Sequence, residues 1–124
     1  MRLLALDTST KHTGYAFFVN GRLERSGVID SDIPDSKQRL NYMILRIYDL
    51  LNKAKPERVA FEDVKILNNQ HTLVILSEIL GAVIGYCNAH LIQYEYYSPA
   101  EWRSRNGIQV YRAKRDELKR LSIE

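Results

Sequence analysis

The amino-acid sequence predicts a single α/β domain built on a mixed sheet, and three observations carry that prediction. The run Leu3-Leu4-Ala5-Leu6 is short and wholly apolar, as in a strand covered on both faces, and it ends at Asp7. A second run, Arg58-Val59-Ala60-Phe61, repeats the pattern and ends at Glu62-Asp63. Between them lie a hairpin signal at Asn20-Gly21 and one helix-length amphipathic segment. At 124 residues the chain is one domain, spanning 1–124, with room for a single core.

Strand one is expected over Arg2–Leu6, followed by a turn over Asp7–His12 and strand two over Thr13–Val19. Asn20-Gly21 accepts the positive φ values of a type I′ turn, so strand three returns antiparallel over Arg22–Ile29. Ser31–Asp35, with Pro34, reads as a loop whose Asp35 or Ser36 caps a helix over Lys37–Ala54. Leu40, Met43, Ile44, Ile47, Leu50 and Leu51 recur at helical spacing along it, while Arg39, Arg46, Asp49 and Lys53 fall mostly elsewhere. Lys55-Pro56 stops that helix before the second acid-tipped strand.

A second helix is expected over Gln70–Ala89, apolar around nearly its whole circumference and therefore buried on more than one side. Gly81 and Gly85 each cost about 1 kcal/mol of helix propensity relative to Ala, a cost offset where another backbone approaches closely. The partner is either a second copy of the chain or the interior of the monomer. Leu91–Tyr97 alternates as a half-exposed strand, and Ser98-Pro99-Ala100-Glu101 is a capping box for a short helix holding Trp102 and ending at Gly107. A final helix carries Arg112, Lys114, Arg115, Lys119 and Arg120.

Composition narrows the function. Cys87 is the only cysteine, so no disulfide forms within the chain; its apolar neighbours mark it as a buried small hydrophobe in a reducing, cytoplasmic setting. No secretion signal is evident, and the most apolar stretch, Leu73–Cys87, is shorter than the roughly 20 residues of a membrane span. The net charge of +3 is local: residues 1–97 hold 11 basic and 11 acidic side chains, residues 98–124 hold 7 and 4. That basic end is either a solvated helix face or a footprint for a polyanion.

An acid at the tip of a buried strand needs donors or a cation to stay charged, which makes Asp7 a site candidate. Glu62 joins it if the two strands are parallel neighbours. Asp63 points to the opposite face, because strand side chains alternate. His12, His71 and His90 show no metal-ligand spacing, and the tyrosines and Trp102 read as packing residues.

Asp7-Thr8-Ser9 with Thr13-Gly14-Tyr15, then Phe61-Glu62-Asp63-Val64, then Asn69-Gln70 opening a long apolar helix, resembles the RuvC family of Holliday junction resolvases. The resemblance covers nearly the whole chain in the same element order. It implies a ribonuclease-H-like mixed sheet, three antiparallel strands followed by two parallel to strand one, with helices packed on it. It further implies a homodimer, formed through the Gln70–Ala89 helix, that binds four-way DNA junctions and hydrolyses phosphodiesters with Mg²⁺, or Mn²⁺ in its place. Asp7 and Glu62 would be the catalytic metal ligands. Arg112, Lys114 and Arg115, with Arg103 and Arg105 as weaker candidates, would neutralise phosphates, Lys114 near the scissile one. Asn69 and Gln70 would meet a phosphate at a helix start or simply cap it. The family completes its site with one or two aspartates on a later helix, which this chain is expected to lack. Two alternatives follow: a catalytically inactive junction-binding homologue, and a phosphate-binding lobe like that of actin or sugar kinases, since Leu6-Asp7-Thr8-Ser9-Thr10 before a hairpin suits both.

Overall fold

The computed structural model describes residues 1–62 and 70–97. The elements run β1 (Arg2–Asp7), β2 (His12–Val19), β3 (Arg22–Asp30), α1 (Ser36–Ala54), β4 (Arg58–Glu62), α2 (Gln70–Ala89) and β5 (Gln93–Tyr97). Within the described residues the five expected strands and the helices expected over Lys37–Ala54 and Gln70–Ala89 are present, each within one or two residues of its expected bounds. Asp63, Asn69, the Trp102 helix and every basic residue from Arg103 onward lie outside the described residues.

The strands form one sheet in the order β3-β2-β1-β4-β5. β1 pairs antiparallel with β2, and β2 with β3, whereas β4 is parallel to both β1 and β5. This is the mixed sheet expected from the sequence. Asn20 (φ 51°) and Gly21 (φ 83°) occupy the left-handed region that the hairpin requires.

Side-chain alternation gives the sheet two unlike faces. Leu4, Leu6, Ile29, Val59 and Phe61 face the helices, where they meet Leu40, Met43, Ile47 and Leu51 of α1 and Ile79, Leu80, Val83 and Cys87 of α2. The opposite face buries Ala5, Ala16, Ala60, Phe18 and Tyr97. Phe61 anchors the helical side, with the Tyr94 ring stacked at 6.0 Å and the Tyr96 ring edge-on at 4.9 Å.

Helix α1 begins where Asp35 accepts a hydrogen bond from the Gln38 amide at 2.9 Å and ends at Lys55, whose φ of 47° closes the last turn. Tyr48 Oη donates to the Ala82 carbonyl at 3.0 Å, fixing α1 against α2.

α2 is buried on more than one side, as expected, against the sheet and against α1; among the described residues Val74, Ser77, Glu78, Gly81, Gly85, Asn88 and Ala89 form an exposed strip along it. A sheet can cover only one side of a helix, and α1 occupies the flank. α2 also meets the length and composition of a membrane-crossing helix, with 20 residues and a mean hydropathy of 1.6, although the bare apolar stretch looked too short. Here its Ile79, Leu80, Val83 and Cys87 pack into the core of the sheet domain. At the far end, Leu91 belongs to a turn instead of β5; its φ is 59° and the residue is 94% exposed.

Cys87 is fully buried, and burial pushes its thiol from the ordinary 9.0 up to about 11. The folded protein holds the proton more tightly than the unfolded chain, so this contribution is intact below pH 9 and is lost as pH rises towards 11. Urea unfolding of the wild type should therefore show a midpoint that falls across pH 9–11, and Cys87→Ala should flatten that alkaline decline.

Candidate active site

The parallel register of β1 and β4 sets Leu6 opposite Phe61, so the next residues, Asp7 and Glu62, occupy adjacent strand tips. Neighbouring strands lie about 4.8 Å apart. Asp7 shares the face of Ala5, and Glu62 that of Ala60, so alternation directs both carboxylates away from the helical layer. Both residues are half-buried. Tyr97 is opposite Glu62 on β5, and its phenol donates to Glu95.

Glu95 is a third acid on this face, which the alternating sequence pattern showed without revealing its role. Its carboxylate lies 2.6 Å from Arg58 Nη1, and Arg58 Nη2 donates to Gln93 at 2.7 Å. The guanidinium neutralises it, so Glu95 serves the sheet surface. Among the described residues, no group of three or more His, Cys, Asp or Glu side chains is placed to hold a metal ion. Asp7 and Glu62 nonetheless fit a hard divalent cation by chemistry, since both offer carboxylate oxygens.

The turn after Asp7 is rigidly tied. Thr13 is fully buried, and its Oγ1 donates to the Ser9 carbonyl at 2.7 Å while accepting from the Ser9 amide at 3.1 Å. Ser9 Oγ in turn accepts from the amides of Lys11 and His12, at 3.1 and 3.3 Å. Arg39, which the helical pattern set merely off the apolar stripe, reaches across from α1. Its Nε donates to Thr10 Oγ1 at 3.2 Å, and Nη1 donates to the carbonyls of Ile33 and Pro34 at 2.7 and 3.2 Å. His12 Nδ1 lies 2.7 Å from Asp30 Oδ1 across the β2–β3 pair. The serine and threonine content of the turn was the signal for these local bonds. Nothing in the sequence pointed to Arg39, whose partners are up to 29 residues away.

Of the other expected site residues, Gln70 is exposed at the first turn of α2. Asn69, Arg103, Arg105, Arg112, Lys114 and Arg115 lie outside the described residues.

The strand order, the parallel β1-β4-β5 unit and the acids at the tips define the fold as ribonuclease-H-like. No protein-family model matches the chain. It is 26% identical over 110 residues to the crossover junction endodeoxyribonuclease RuvC of Brachyspira hyodysenteriae, covering 84% of this chain and 68% of that protein. It is 26% identical over 106 residues to the RuvC of Solidesulfovibrio magneticus, covering 78% of this chain and 60% of that protein. Among solved structures, T. thermophilus RuvC in complex with a Holliday junction substrate superposes with a TM-score of 0.72 at 21% identity, covering 84% of this chain and 70% of that one. The likeness to RuvC-type crossover junction endodeoxyribonucleases is thus present in both sequence and fold.

Thr13→Val keeps the shape of the side chain but removes both bonds to Ser9. It should cost about 1–3 kcal/mol by urea unfolding, with faster amide exchange concentrated at Ser9–His12.

Proposed function

We propose that this domain is a metal-dependent, structure-selective endonuclease that resolves four-way DNA junctions by phosphodiester hydrolysis. The observation that carries the reading is the placement of Asp7 and Glu62 on adjacent parallel strand tips, with RuvC proteins as the relatives that share the fold. Asp7 and Glu62 would hold Mg²⁺, or Mn²⁺ in its place, which when bound supplies charge stabilisation at the reacting phosphate. The chain's own part is to fix where that charge sits. The Ser9–Thr13 bonds and the Arg39 latch hold the turn beside Asp7, so little reorganisation accompanies binding.

Phosphate contacts would come from the basic segment, through Arg112, Lys114 and Arg115 first and Arg103 and Arg105 second, and from Asn69 and Gln70 at the start of α2. Such a protein would act in the cytoplasm. The test is cleavage of a synthetic four-way junction in Mg²⁺. Asp7→Asn and Glu62→Gln should each lower the rate by at least about 100-fold, as for loss of a charge aimed at the transition state, while junction binding in EDTA persists. Cleavage undiminished in both variants would end the proposal.

A second reading, an inactive junction-binding homologue, is favoured by one observation: among the described residues no group of three or more His, Cys, Asp or Glu side chains is placed to hold a metal ion. Tight junction binding by the wild type, with no cleavage in Mg²⁺ or Mn²⁺, would select it.

Two copies of the chain would assemble through the exposed strip of α2. Open space surrounds the positions of a Cβ at both Gly81 and Gly85, so a second backbone can approach there. Gly85→Leu meets nothing in the monomer but would obstruct a close helix pair. Sedimentation should therefore show a dimer for the wild type and a folded monomer for this variant.

A further inference from the structure

Among the described residues, helices α1 and α2 lie over the middle of the sheet and leave the helical side of the β2–β3 hairpin partly open. A groove of about 630 Å³ runs there between the hairpin and the outer flank of α1. Its floor is apolar, formed by Tyr15, Phe17 and Ile29 of the sheet and Leu50 of the helix. Its rim is charged. Arg25 of β3 faces Arg46, Asp49 and Lys53 of α1, which share one helical face at i, i+3 and i+7.

The floor owes its shape to Gly27. A Cβ at that position would lie 2.6 Å from Tyr15 Oη and 2.8 Å from Cζ, so the phenol ring rests directly against bare backbone. The cations on the rim remain available. Arg25 and Lys53 make no hydrogen bond or ion pair among the described residues, and Arg46 makes only a long contact with Tyr42 on its own helix, its guanidinium 5.8 Å from the ring centre.

We propose that this groove is a docking site for an extended segment of a partner protein, one that alternates apolar and acidic side chains. From Arg46 to Ala54 the wall is about 12 Å long, the span of about four extended residues. Apolar side chains of such a segment reach the Tyr15–Phe17 floor while its carboxylates meet Arg25, Arg46 and Lys53. Two features favour a peptide over a nucleic-acid strand. Glu24 and Asp49 interrupt the basic rim and repel a continuous row of phosphates. The groove also opens on the face of the sheet opposite Asp7 and Glu62, away from any DNA held at the acids. The proposal is independent of nuclease activity.

The test follows backbone amide shifts of the full chain by NMR during titration with three probes: a capped octapeptide alternating Leu and Glu, the same peptide with Lys for Glu, and the oligonucleotide dT8. The Leu–Glu peptide should shift groove amides, from Tyr15 to Ile29 and from Arg46 to Ala54, and the other two probes should leave them unmoved. Arg25→Glu/Arg46→Glu/Lys53→Glu, all at exposed positions, should weaken the Leu–Glu peptide at least about tenfold. Gly27→Ala, which drives the Tyr15 ring into the groove with every charge retained, should weaken it too. No groove shifts with the Leu–Glu peptide, equal shifts with dT8, or an affinity that neither variant lowers would each overturn the proposal.

Discussion

The parallel pairing of β1 with β4 is the constraint on which the rest of this protein depends. Fifty residues separate the two strands, and they hold the hairpin, the loop before α1 and α1 itself. Pairing Leu3–Leu6 with Arg58–Phe61 turns that long excursion into one buried layer and brings Asp7 level with Glu62. A slip of one residue would send Val59 and Phe61 to the opposite face and turn Glu62 toward the helices. The hydrophobic register and the adjacency of the two acid-bearing strand tips are therefore the same fact seen from two sides.

The two faces of the sheet divide the labour. One receives α1 and α2 and contains most of the large apolar side chains, with Phe61 flanked by Tyr94 and Tyr96. The other is lined by small residues at Ala5, Ala16 and Ala60, leading to the carboxylates at the strand tips. The groove beside α1 arises on the helical face because, among the described residues, two helices cover less width than five strands.

Rigidity at the acid-bearing edge comes from polar bonds, since loop backbone there has no sheet partner. Thr13 satisfies the Ser9 backbone from within the core, and Ser9 passes that order on to Lys11 and His12. Arg39 adds a long-range tie, joining the same turn to the carbonyls of Ile33 and Pro34. Together they couple the position of α1 to the turn beside Asp7, so helix packing and site geometry are not separable.

Much of this architecture was written locally. Apolar runs ending in Asp7 and Glu62, the Asn20-Gly21 turn, the Asp35 cap and the spacing of Leu40, Met43, Ile47 and Leu51 each express a short-range preference that the chain carries whatever its surroundings. The resemblance carried by Asp7 to Tyr15, and again by Phe61 to Val64, added the strand directions of the mixed sheet. Other features had no local signature. The open strip of α2, the neutralisation of Glu95 by Arg58, the Arg39 latch and the groove over Gly27 all depend on groups far apart in the chain. Hydrophobic pattern states that a helix is apolar but not how much surface its neighbours can cover, and charge states that an arginine is present but not which carbonyl it reaches. Those outcomes were decided only when the strands took their order and the helices settled on one face.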